Sequence, residues 1–338
     1  MGIDIRKNAA SMPTSEFENF LKACVLLKSQ LVPGKTFSFY DQWVAIHGCI
    51  MGVKTPGSAD FVNLGHQNIG FVAWHREYIR RFELALQGVV PGVTIPYWPW
   101  PLTPEPSTLF SNARIHPIFF SSSVQKAVGG LFAAGGPSSS PVWWPTGFKW
   151  TVQPALQVGG SPILRRGSAA DTWPPTQATI TSIENMAIAP LGVNVYWAFW
   201  NQLEAGARTH NTGHNIVGGY MANPVFSPND PLFWLHHAQV DRVWSRWQAN
   251  RVAAGSTLLS IYPPAAEASP FNGQVPPNGH RRDDIMWPWV GTTPGYSVNA
   301  PAGVQMMLPG FSGGPIRRIK DVFDHRDLGG GLGGYQYS

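Results

Sequence analysis

Apolar positions in the first quarter of the chain recur at three- and four-residue spacing. Phe17, Phe20, Leu21, Cys24, Val25 and Leu27 follow Thr14, a candidate cap, and predict a helix over 15–30 that Pro33-Gly34 ends. The same spacing predicts helices over 39–51 and 68–87, the second closed by Pro91-Gly92. Between 96 and 173 both periodicities fade into runs such as PYWPWPLTPEPS, AAGGPSSSP and VWWPTGFKW. Six tryptophans lie there (Trp98, Trp100, Trp143, Trp144, Trp150 and Trp173), whereas a linker would be polar and poor in aromatics. Irregular structure packed on a helical core is therefore expected. Helical spacing returns over 183–207, 209–221 and 230–253, then yields to a Pro- and Gly-rich tail from 261 that ends GGGLGGYQYS. The expected fold is mainly α, a four-helix bundle with long loops and a few short strands.

Composition sharpens this picture. Of 338 residues 43% are hydrophobic, enough for a large core, and only 13% are charged, against roughly 25% in an average domain. The 36 glycines and 31 prolines fit ordered, turn-rich connections, and disorder is excluded. The net charge of +5 is spread over pairs such as Arg80-Arg81, Arg165-Arg166, Arg281-Arg282 and Arg317-Arg318, which is no nucleic-acid footprint. The start, MGIDIRKNAASMPTSEFENF, lacks the apolar core of a signal peptide, and no apolar run reaches the ~18 residues of a spanning helix. The expectation is no membrane partner and a cytoplasmic location for the chain as written, with secretion of a processed or partner-exported form left open. Cys24 and Cys49 make no disulfide framework and read as free buried thiols.

The histidines carry the chemical signal. Seven of the ten fall in two regions: His47, His66 and His75, then His210, His214, His236 and His237. His75, Ile79, Phe82 and Leu86 are spaced by four, three and four, so His75 lies on an apolar helix face. In THNTGHNIVGG, His210 and His214 stand at i and i+4, where two ring nitrogens can grip one ion. In DPLFWLHHAQVDRVW, His237 shares a face with Phe233, Val240, Trp244 and Trp247, while His236 is turned away by about 100°. Two triads result, His47/His66/His75 and His210/His214/His237, placed on four helices. A set of neutral imidazoles suits copper, zinc, iron or nickel; without HExxH or a bridging carboxylate, a copper pair is favoured over a dinuclear zinc hydrolase. His116, His280 and His325 sit in loops and read as ordinary structural residues, and His236 as a supporting one.

These residues resemble the type 3 copper proteins, the family of tyrosinases, catechol oxidases, aminophenol oxidases and hemocyanins. FVAWHREYIRRFE is similar to the family's first-site signature, SPNDPLFWLHHAQVDRVW to its second-site signature, and LEAGARTHNTGHNIVGG stands where the other second-site ligands are expected. IRKN near the start and Tyr335-Gln336-Tyr337 near the end resemble motifs that bracket its catalytic domain, with Arg6 expected to stack on one of those tyrosines. The resemblance thus spans nearly the whole chain and implies a single catalytic domain over 1–338, without a C-terminal lid domain.

Matched residue by residue, the resemblance implies two copper ions with O2 as co-substrate, one ion on His47, His66 and His75 and the other on His210, His214 and His237. It implies hydroxylation of a small monophenol ortho to its hydroxyl and oxidation of o-diphenols to o-quinones. Glu204 and Asn211 are the candidate catalytic residues, together holding a water that takes the phenol proton. Family members differ at two places: a thioether-forming cysteine is replaced here by Leu64, and a shielding bulky residue by Pro224, so no crosslink and open access are expected. Asn215, Asp230 and Asp241 are candidates to line the entrance or orient imidazoles. A catechol or o-aminophenol oxidase and a hemocyanin-like O2 carrier are the alternatives. The missing lid leaves room for a separate lid or copper-delivery protein.

Overall fold

The computed structural model describes residues 3–100, 126–127, 132, 140–166, 176–188, 192–204, 209–308 and 315–338. His116 and Trp173 lie outside them. Eight α-helices occur among the described residues: α1 (Thr14–Ser29), α2 (Phe39–Ile50), α3 (Phe71–Val89), α4 (Gln177–Glu184), α5 (Tyr196–Glu204), α6 (His210–Val217), α7 (Leu232–Ala253) and α8 (Ala302–Gln305). The strands are short. β1 (Asp4–Arg6) pairs in parallel with β6 (Tyr335–Tyr337), with Asp4 opposite Tyr335 and Arg6 opposite Tyr337. β2 (Val53–Lys54) pairs antiparallel with β5 (Ser297–Val298), and β3 (Lys126–Ala127) with β4 (Arg165–Arg166). The chain is mainly helical, as the periodicity predicts, and no described helix is long and apolar enough to cross a membrane.

Local chemistry explains most boundaries. α2 starts at a capping box in which Ser38 and Asp41 exchange side-chain-to-backbone hydrogen bonds. Thr14 does not cap α1; it is the first helical residue, and Pro13 precedes it without a side-chain cap. Of the helix expected over 183–207, only 183–184 at the end of α4 and 196–204 in α5 are helical among the described residues; the sequence between them holds Pro190, and Gly192 adopts φ +76°. α6 stops at Val217, where Gly218 takes φ +67°.

α3 and α7 are the central pair. Phe82 on α3 stacks on Trp234 on α7, with centroids 3.5 Å apart, and the Trp234 indole donates to Tyr40 Oη on α2 at 2.8 Å. The apolar face of α3 is buried as expected, yet its charged face is buried as well: Arg76, Glu77, Arg80 and Glu83 are all 3% exposed or less. The C-terminal residues account for this. Arg76 donates to Asp241 Oδ1 at 2.5 Å, to Ser245 and Gln248 of α7, and to the carbonyls of Val322 and Phe323. Arg317 pairs with Glu77 at 2.9 Å.

β1 and β6 complete this buried network. Arg6 donates to both oxygens of Glu83 and lies 3.6 Å over the Tyr335 ring, the stacking expected from the sequence. Tyr335 and Tyr337 both donate their hydroxyls to Asp241 Oδ2, at 2.5 and 2.6 Å. Burial alone would raise the Asp241 carboxyl, but Arg76, Arg6 and the two tyrosines hold it below the usual carboxylate range. Cys24 and Cys49 are both free and buried.

Removing one partner of a buried ion pair leaves the others charged and unpaired. Asp241→Ala is therefore expected to cost about 3–5 kcal/mol of stability, measured by denaturant unfolding; a loss below about 1 kcal/mol would contradict the central role given to this carboxylate. Because the native carboxyl titrates below its unfolded value, its contribution is full at neutral pH and fades as the pH falls through the native titration.

Candidate metal centre

Four helices that carry candidate ligands bring the two triads face to face. His47 comes from α2, His75 from α3, His210 and His214 from α6, and His237 from α7. His66 departs from the helical expectation: it stands in a loop ahead of α3, where Asn63 Oδ1 accepts the backbone N–H of Gly65 and His66 at 3.1 and 2.9 Å. That side-chain turn diverts the chain from helix until Gly70. Within each triad the candidate ligand atoms lie within 4.8 Å of one another. Across the centre, the rings of His75 and His237 stack at 4.2 Å, and Phe71 and Phe233 wedge between the imidazoles.

Tautomers follow from the hydrogen bonds. Nδ1–H of His47 donates to Val225 O at 3.0 Å, that of His75 to Phe71 O at 2.9 Å, and that of His214 to Met221 O at 2.8 Å. His210 Nδ1–H donates to Asn211 Oδ1 at 3.0 Å. In all four the Nε2 lone pair is left free, the arrangement that supports a metal-bound imidazole. Burial depresses every triad member, reinforced by neighbouring histidines in all but His214: His47 to about 3 and His214 to about 4, with His66, His75, His210 and His237 also lowered. All six are neutral near pH 7.

This arrangement tests whether the residues fit a metal. Nε2 of His47 and of His75 is buried with no hydrogen-bond partner. His210 and His214 turn Nε2 lone pairs toward each other at 3.1 Å, and His237 Nε2 lies 3.2 Å from that of His214. Converging lone pairs repel one another unless a shared cation accepts them. The donor set, all neutral imidazole, fits copper.

His236 is near enough to be counted with the second triad by distance. Its nitrogens are engaged elsewhere: Nδ1 accepts the Trp100 indole N–H at 3.2 Å, and Nε2–H donates to the His210 carbonyl at 3.1 Å. It supports the backbone of α6. Gly213 makes room for it, since a Cβ there would lie 2.2 Å from His236 Cε1.

A cavity of about 500 Å³ opens onto the centre, lined by His66, His210 and His214 together with Glu204, Asn211, Asn215 and Pro224. All four of the expected catalytic and access residues thus meet in one space. Glu204 is 4% exposed, and burial pushes its carboxyl up to about 8, against the lowering effect of its hydrogen bonds. Its oxygens accept the Gln67 backbone N–H and the Trp200 indole N–H. Asp241 and Asp230 neither orient an imidazole nor line this cavity. Asp241 faces Arg6, Arg76 and the two tyrosines; Asp230 accepts from Leu232 N at the start of α7 and pairs with Arg166.

Four contributors escaped the sequence. Phe71 is four residues before His75 on the same face, and Asn63 three before His66 is a turn signal, so local pattern held a trace of both. Trp200 likewise stands four residues before Glu204 on one helix, whereas His280 has no such trace. His280, read as an ordinary loop residue, is buried and donates Nε2–H to Asn63 O at 2.8 Å.

Comparison with known proteins gives a consistent result. Residues 38–250 match the family described as the common central domain of tyrosinase. The chain is 33% identical over 298 residues to a tyrosinase of Streptomyces glaucescens, covering 86% of this chain and 94% of that protein. Two solved structures share the fold. A mutant polyphenol oxidase of Thermothelomyces thermophila superposes with a TM-score of 0.60 at 19% identity, over 99% of this chain and 89% of that one. A functional unit of octopus hemocyanin gives 0.56 at 20% identity, over 99% and 68%.

The close seat of His236 on α6 yields a structural prediction. Gly213→Ala is expected to destabilise the protein by about 1–3 kcal/mol, read from the unfolding midpoint. An unchanged midpoint would show that α6 is not seated on His236.

Proposed function

The chain belongs to the tyrosinase family, and from that premise we propose that it hydroxylates monophenols ortho to the hydroxyl and oxidises o-diphenols to o-quinones with O2. The family's cofactor is a pair of copper ions, which when bound supply O2 activation and electron transfer between O2 and the ring. In this proposal His47, His66 and His75 hold one ion and His210, His214 and His237 the other. The chain is read as one catalytic unit.

The observation that carries the proposal is the convergence of Glu204 and Asn211 on the cavity into which His66, His210 and His214 project. A phenol has an ordinary pKa of about 10, so hydroxylation gains from a base that takes its proton as it enters. Asn211 Oδ1 is committed to His210, which leaves its NH2 group to donate to a water. In the ionised form that acts as base, each Glu204 oxygen already accepts one N–H and retains a lone pair for that water. The raised proton affinity of Glu204 brings it closer to the phenol it would relieve of a proton. Asn215 and Pro224 are both exposed on the cavity rim, which supports the access role assigned to them. A separate lid or copper-delivery protein would dock on the same rim.

Oxygen uptake by copper-reconstituted protein tests the reaction. Copper-dependent uptake on both tyramine and catechol is expected. Uptake on catechol alone would move the activity to a catechol or o-aminophenol oxidase, and a stable oxygenated complex without turnover would indicate a carrier.

Two sets of variants test the roles. Asn211→Ala and Glu204→Gln are expected to lower monophenol turnover by about 10²-fold while sparing most diphenol turnover; equal losses on both substrates would refute the water-holding role. His237→Ala is expected to lose an ion, whereas His236→Ala retains two. The opposite metal contents would transfer the ligand to His236.

A further inference from the structure

We propose that His280, outside both triads, is a positioning residue that clamps the loop carrying His66. The proposal rests on the assignment of His66 as a copper ligand. Five of the six expected ligands are fixed by helices; His66 is held by loop 63–70, between β2 and α3. Inside this loop Asn63 Oδ1 caps the N–H groups of Gly65 and His66, and Gln67 adopts φ +61°, uncommon for a residue other than glycine. The loop also borders the cavity, so nothing solid supports it on that side.

Support comes from residues 279–281, more than two hundred positions along the chain. His280 is 1% exposed and donates Nε2–H to the Asn63 carbonyl at 2.8 Å. Its Nδ1 has no partner, so the single proton of the neutral ring is on Nε2. The far edge of the ring rests on Gly70, where a Cβ would come within 2.5 Å of Nδ1. Gly279, at φ +100°, lies so close to Leu64 that a Cβ would stand 2.6 Å from Leu64 Cδ2. The loop is therefore gripped at both ends, at Asn63–Leu64 and at Gly70.

The clamp is itself anchored. Asp284 Oδ2 accepts the backbone N–H of Gly279 at 2.7 Å and of Arg281 at 3.0 Å, and Tyr262 Oη donates to the His280 carbonyl at 2.6 Å. Packing alone requires no particular orientation of the ring. Here the orientation is fixed by a donor aimed at the carbonyl of the residue whose side chain caps His66.

The test separates the donor from the volume. Copper(I) is titrated into the full chain against a competing chromophoric chelator, giving two stepwise affinities, and metal-free protein is unfolded in parallel. His280→Leu is expected to weaken one affinity by about 10-fold or more and leave the other unchanged. His280→Gln, which retains an N–H donor, is expected to recover most of that loss. In a His237→Ala background the same weakening is expected at the remaining site, which assigns it to His47, His66 and His75. Two unchanged affinities, or equal losses at both sites, would overturn the clamp. Wild-type protein that binds no second ion would instead overturn the copper assignment beneath it. If His280→Leu does not fold, Tyr262→Phe removes the donor that anchors the His280 carbonyl and carries the same expected and overturning results.

Discussion

The Arg76–Asp241 ion pair fixes how α3 and α7 lie against each other, and the metal centre depends on that relation. Arg76 directly follows His75, and Asp241 stands one turn beyond His237. A shift of either helix along its axis would break the pair and separate the stacked imidazoles at the same time. A hydrophobic contact tolerates sliding; a guanidinium whose three nitrogens donate to Asp241, Ser245, Gln248 and two carbonyls does not. Buried ion pairs often add little net stability over apolar packing. Their worth in this fold lies in register.

The same network joins the chain ends to the centre. Asp241 accepts from Tyr335 and Tyr337 on β6, and Arg6 on β1 bridges Asp241 and Glu83. Glu83 in turn pairs with Arg80 on its own helix. The charged face of α3 is thus covered by segments far away in sequence, while its opposite face presents His75. A helix buried on both sides has little freedom to rotate, which is what a ligand on a rigid element requires.

How much was legible depended on sequence distance. α2, α3 and α7 follow from three-four spacing, and five triad histidines from their places on those helices and α6, because these signals span only a few turns. The break between α4 and α5 was missed although Pro190 marks it, since the apolar pattern continues across. The buried charges of α3 could not be foreseen: Arg76 and Glu77 look like a solvated face until Asp241 and Arg317 are brought to them. His280 was passed over for the same reason. Its contact with Asn63 spans 217 residues, and no local pattern encodes it.

The two triads also differ in what holds them. In the second, all three histidines are on helices, and two of the polar supports are close in sequence: Asn211 beside His210 and Met221 O seven residues from His214. In the first, His66 is borne by a turn, and His47 finds its carbonyl at Val225, 178 residues away. Local supports form with the helix that bears them, whereas remote supports exist only once the tertiary structure has closed. The second triad can therefore assemble as α6 docks on α7, while the geometry of the first is completed only when loop 63–70 has met the chain that packs behind it.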